Sequence, residues 1–176
     1  RRSSDLHPVG FVREVAVARL GEIDDAVALP VLALRAADWV PHVRDRARDA
    51  VARRAVSSVK LLVGVGPLAV LLADRAQGGW LYRRLGASIT SLDDEALRHV
   101  LAAPDRRLRR LGFSIALRDD RLGHRDLLDV ALNDGDLVIR VQCADAAIRA
   151  ALAAGSVDLV RPLTTSGTAA VRVVAV

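Results

Sequence analysis

A short pattern of apolar, charged and small positions recurs along the chain and sets its reading. An arginine preceded by an apolar residue, with a small residue three positions after it, appears first as Val12-Arg13 with Ala16, Val43-Arg44 with Ala47 and Tyr82-Arg83 with Gly86. It returns as Leu108-Arg109 with Gly112, Ile139-Arg140 with Cys143 and Val171-Arg172 with Ala175. Successive arginines stand 31, 39, 26, 31 and 32 residues apart, a period of about 32 in which the second and third steps together make two repeats. The apolar and the small residue are four positions apart, so they share one helical face. That face is pressed against a neighbouring helix, and the small residue lets the two backbones approach. Cys143 takes the small slot, which makes it a packing thiol and not a nucleophile.

Each period divides into two helical segments separated by turn signals. The first pair is predicted over Val9 to Ile23 and Ala26 to Ala37, with Asp25 as a helix start and Pro41 in the first turn of the following helix. The second runs from His42 to Val56 and, through Ser57-Ser58, from Val59 to Gln77, where Gly64-Val65-Gly66-Pro67 predicts a kink or break. The third pairs Trp80 to Ser91 with Asp93 to Ala103, the fourth Asp105 to Leu117 with His124 to Asn133, and the fifth Asp136 to Ala153 with Val157 to Thr164. As repeats these are residues 9–37, 41–77, 80–103, 105–134 and 136–166, with a partial sixth over 168–176. Paired amphipathic helices cannot hide their apolar faces alone, so the expected architecture is all-α: about five helix pairs stacked as one domain.

Composition supports helices over sheets. The chain is 52% hydrophobic but only 3% aromatic, so its interior is built from Ala, Val and Leu. Of 26 basic residues only Lys60 is a lysine, and an arginine bias beside abundant Ala, Val and Asp is the mark of GC-rich coding more than of a nucleic-acid binder. A net charge of +5 fits an ordinary surface. A single cysteine excludes a disulfide framework and a thiolate cluster, and a reducing cytoplasm is the expected location. The longest apolar run, Leu61 to Ala73, is too short to span a bilayer, and no signal peptide is read. A chain without methionine that opens on Arg1 reads as a piece of a longer protein, truncated at both ends.

Three stretches carry a family resemblance. Gly10-Phe11-Val12-Arg13-Glu14-Val15-Ala16-Val17-Ala18-Arg19-Leu20-Gly21 resembles the first helix of a HEAT repeat. Asp38-Trp39-Val40-Pro41-His42-Val43-Arg44 resembles the inter-repeat turn of that family with its Val-Arg signature, and Asn133-Asp134-Gly135-Asp136-Leu137-Val138-Ile139-Arg140 repeats the pattern. The chain departs from it around Gly64 to Leu92, where Gln77 replaces the aspartate. The resemblance implies a right-handed α-α superhelix, a HEAT-like solenoid. It also implies an Asp-Arg ladder between repeats, in which Asp38 with Arg44 and Asp134 with Arg140 are structural, together with Arg13, Arg83, Arg109 and Arg172. The second helix of each pair would line a concave binding face.

Candidate contacts follow. Exposed positions of the second helices are Arg35, Arg98, His99, Arg125 and Asp129. The densest basic cluster is Arg106-Arg107-Leu108-Arg109-Arg110; Arg106 and Arg110 share a face, and Arg84 holds the same repeat position as Arg110. Stacked helices would align these arginines about 10 Å apart into a stripe for phosphates or an acidic partner, unless the face is simply solvated. Trp39 and Trp80 fall at comparable turns, where covering the end of the core is the expected role for so costly a side chain to expose. His7, His42, His99 and His124 have no ligand spacing, so no metal is expected; Gly64-x-Gly66 lacks the context of a phosphate loop. Asp93-Asp94-Glu95 and Asp119-Asp120 suit helix starts and loops, and no catalytic constellation or cofactor is read.

These features together imply a non-catalytic scaffold or adaptor for a protein partner, with no membrane role. Two alternatives stay open. One is nucleic-acid binding through the arginine stripe, as in DNA-repair glycosylases with HEAT-like repeats. The other is a bilin-lyase-like or chaperone role. The segment Ala169 to Val176 is expected to expose an apolar edge.

Overall fold

The computed structural model describes residues 8–23, 27–54 and 59–174, apart from the side chains of residues 8 and 9. The helix start read at Asp25, the Ser57-Ser58 turn, His7 and the small slot at Ala175 lie outside the described residues. Among the described residues the secondary structure is entirely helical, with no strand. In chain order the helices are α1 (Pro8–Glu22), α2 (Ala28–Arg35), α3 (Pro41–Arg54), α4 (Val59–Leu72), α5 (Gly79–Thr90) and α6 (Asp94–Leu101). Then follow α7 (Arg106–Arg118), α8 (His124–Asn133), α9 (Leu137–Ala153), a 3-10 turn (Val157–Val160), α10 (Arg161–Thr164) and α11 (Ala169–Val174).

The chain forms two compact units, Arg1–Leu108 and Arg109–Val176. In the first, α1 packs on α2 and α3, α2 on α3 and α4, and α4 on α5 and α6. In the second, α9 packs on α8, the 3-10 turn and α11, while α10 packs on α8 and α11. Several helices, α1, α2 and α4 among them, therefore meet both the next helix and the next but one. The apolar residue of the recurrent pattern anchors this packing: Val43, Leu108, Ile139 and Val171 are fully buried. Ala47 and Cys143, in the small slot, are buried too.

Local chemistry explains where helices start. Asp93 Oδ1 accepts the amide of Ala96 at 2.7 Å, with Asp94 and Glu95 in the first turn of α6 and Arg98 and His99 in its last. Both ends thus complement the helix dipole. Asp105 Oδ1 accepts from Leu108 at the start of α7 (2.9 Å), and Asp136 caps α9 through the amide of Val138. The expected break at Gly64-Val65-Gly66-Pro67 does not occur. The α4 helix runs through Pro67 and stops instead at Leu72, short of the expected Gln77, in a series of tight turns that ends at Gly78. Pro67 removes one helical donor, but Leu62, Val65 and Ala69 stay buried around it, and their packing holds the helix. Gly66 is set by packing: a Cβ there would lie 2.6 Å from Leu108 Cδ1, so its absence admits the leucine.

Candidate interaction surface

The turns at Asp38, Asp134 and Ser166 decide which arginines are available. At the Asp38 turn the carboxylate is 3% exposed, accepts the Val40 amide at 2.9 Å, and faces Arg13 Nε at 3.4 Å and Arg35 Nη1 at 3.1 Å. At the Asp134 turn the carboxylate accepts the Asp136 amide at 2.7 Å and pairs with Arg109. Both aspartates are thus reached by the arginine 25 residues earlier. This corrects the pairing of Asp38 with Arg44 and of Asp134 with Arg140. Arg44 Nη1 instead donates to the Asp38 carbonyl (3.3 Å), and Arg140 Nε to the Ala131 carbonyl (2.9 Å). Ser166 holds the third such turn: its hydroxyl accepts from Arg140 at 3.5 Å, and its carbonyl from Arg172 at 2.6 Å. At Gln77 no aspartate is present, and Arg83, expected in the ladder, has no carboxylate partner among the described residues.

Many of the remaining arginines close helix ends. Arg54 donates to the carbonyls of Leu20 and Gly21 (3.0 and 2.7 Å), Arg48 to Ala36 (3.0 Å) and Arg84 to Ala52 (3.2 Å). The last carbonyls of a helix have no partner inside it and carry the negative end of its dipole, so a guanidinium serves both needs. The arginine bias of the sequence is therefore used structurally.

The candidate contacts divide accordingly. Arg35 is held by Asp38, and Arg84 lies half-buried between the Ala52 carbonyl and the Trp80 ring. Arg110 makes a two-pronged bond to Asp136, both arms 2.9 Å, and that hydrogen bond raises its pKa. Arg84 and Arg110 are each engaged inside their own unit. Asp129 accepts the Asn133 amide at 2.9 Å. Arg98, His99, Arg106 and Arg125 lie exposed on helices of both units.

Two features escaped the sequence. Trp39 does not cover the core: it is 75% exposed, its ring face under Arg13 at 5.6 Å. The turn of Asp38 fixes the backbone so that the following side chain points outward, and the guanidinium shields one face of the indole. The second feature is on α2. Its inner side, Leu29, Leu32 and Ala33, is buried, whereas Val27, Val31 and Leu34 are 76, 43 and 45% exposed. These three are spaced by four and three residues and share a face. The signal was there to read, since Ala28-Leu29-Pro30-Val31-Leu32-Ala33-Leu34 is apolar on every side. On α1 the recurrent slots are open as well, with Val12 65% exposed and Phe11 beside it exposed, unlike their buried counterparts in α3 and α9. At the other end Val173 is exposed, as the apolar edge required, while Val171 is buried.

Reactive chemistry is sparse. Cys143 is fully buried, and desolvation, with a smaller contribution from Asp134, pushes its pKa up to about 12. A groove of about 610 Å³ between α7 and α9 is lined by Arg118, Gln142, Asp145 and Arg149, but Arg149 pairs with Asp145 (3.0 Å) and Arg118 with Asp119 (2.7 Å). Among the described residues no group of three His, Cys, Asp or Glu side chains is placed to hold a metal ion, and no helix is long and apolar enough to cross a membrane. Comparison of the chain with protein-family models, curated proteins and solved structures finds no match.

Proposed function

We propose that the chain is a non-catalytic scaffold of HEAT-like helix pairs, stacked as a solenoid within each unit, that holds a partner protein against the outer face of α2. The observation that carries this reading is that α2 is apolar on two sides and buried on one, leaving Val27, Val31 and Leu34 open. A helix apolar all round is ordinarily covered all round, and a contiguous exposed apolar face on a folded protein marks an interaction site. The occupant that fits is the apolar face of an amphipathic segment of the partner. Two further observations support the repeat assignment: α1 meets α3, α2 meets α4, α4 meets α6 and α9 meets α11, and the Arg13–Asp38 and Arg109–Asp134 links have equal sequence separation.

A photocrosslinker at position 31 tests the proposal in native lysate. One defined partner protein, lost when Leu34→Asp is added, is the expected result. Crosslinks only to further copies of the chain, or capture unaffected by Leu34→Asp, overturn it.

A further inference from the structure

Positive charge gathers in one stretch of the first unit. Residues 41–90 hold nine basic and three acidic side chains, a balance that exceeds the net charge of the whole chain. Around Trp80 this excess becomes local. Arg48 lies 5.2 Å from the ring centroid and Arg84 lies 5.9 Å from it, so two guanidiniums share one indole. Arg48 uses Nε on the Ala36 carbonyl and Nη2 on the carbonyl and side chain of Gln77 (3.1 and 3.4 Å), all neutral acceptors, which leaves Nη1 without one.

Arg83 completes the group. Its Nη1 lies 3.2 Å from the place a Gly79 Cβ would occupy, so the guanidinium folds back over the first turn of α5. Exposed there, it finds no acceptor among the described residues. A cation at that position also meets the positive end of the helix dipole, an unfavourable neighbour. Burial first, then Arg44, and more weakly Arg83, lower the Arg48 pKa, with Asp45 opposing them. The protein thus concentrates guanidinium charge here, with Asp45, paired to Arg44 at 3.6 Å, as the one carboxylate acting on Arg48, which is how residues are arranged where an anion is to be received.

We propose that Arg83 and Arg48, set beside Gly79 and Trp80, form a binding site for a phosphate monoester dianion. A compact dianion fits better than an extended acidic chain, because the two guanidiniums flank one short turn and are near enough for their charges to act on each other. A guanidinium fork matches two phosphate oxygens, and two forks accommodate the doubly charged group. This site shares no residue with the α2 face, so either proposal can fail alone.

Trp80 is the reporter. In a Trp39→Phe background it is the sole tryptophan, and its fluorescence is titrated with inorganic phosphate at constant ionic strength, with chloride as control. The expected result is a saturable change with phosphate alone, weakened at least tenfold by Arg83→Ala and partly restored by Arg83→Lys. The thermal unfolding midpoint of Arg83→Ala should not move, since the side chain is exposed and unpaired. An equal response to chloride, saturation indifferent to Arg83→Ala, or a response to duplex DNA but not to phosphate overturns the proposal.

Discussion

Two interhelical turns, Gln77-Gly78-Gly79 in the first unit and Asp134-Gly135-Asp136 in the second, solve one connection with opposite chemistry. The second is electrostatic. Asp134 takes Arg109, Asp136 takes Arg110, and both carboxylates also accept backbone amides of the turn and of α9. The first is steric. A Cβ at Gly78 would stand 1.6 Å from the Leu72 carbonyl oxygen, so the chain passes there only as glycine, and its neighbouring arginines meet neutral carbonyls. Where carboxylates fill the turn, arginine charge is neutralised and becomes structure. Where glycines fill it, the charge is left over and becomes available.

The difference can be broken at either turn. Gly78→Ala should have the largest effect, about 3 kcal/mol lost in urea unfolding, because the obstructing atoms are backbone and cannot rotate away. Its counterpart Gly135→Ala meets nothing within 4 Å and should change stability by less than about 0.5 kcal/mol. Comparable losses at the two glycines would dissolve the steric account. Next in size, Asp136→Ala should cost about 2 kcal/mol, the sum of a lost helix cap and a charged hydrogen bond. Hydrogen exchange should show the first turn of α9 opening ahead of the rest. Smallest is Gln77→Asp, which gives the first turn the carboxylate of the second. A gain of about 0.5 kcal/mol is expected, together with loss of the phosphate response at Trp80; a stabilised variant that still binds phosphate would separate charge from site.

The helices themselves were legible. Predicted His124 to Asn133 and Asp136 to Ala153 match α8 and α9 to within a residue, because the polar loop ending at Gly123 delimits the first and the Asp136 cap starts the second. What stayed hidden was three-dimensional partnership. A spacing of six tied Asp38 to Arg44 in one turn, but a side chain reaching back across the packing of α1 on α3 brings Arg13 to the carboxylate instead. Arg110 read as surface because its partner Asp136 lies 26 residues away. Trp39 read as covered because indoles usually are, and only the turn geometry of Asp38 turns it outward. Gly64-Val65-Gly66-Pro67 read as a kink or break because its neighbours on the buried face of α4 could not be weighed from the chain alone.

The interior position of Cys143 has a practical use. Alkylating reagents attack the thiolate, which a pKa of about 12 makes scarce at neutral pH, and contact is blocked while α9 stays packed. Labelling of the native protein therefore waits on transient exposure of the second unit, and its rate clocks that opening. A cysteine introduced elsewhere on the exterior can then carry a probe with negligible background.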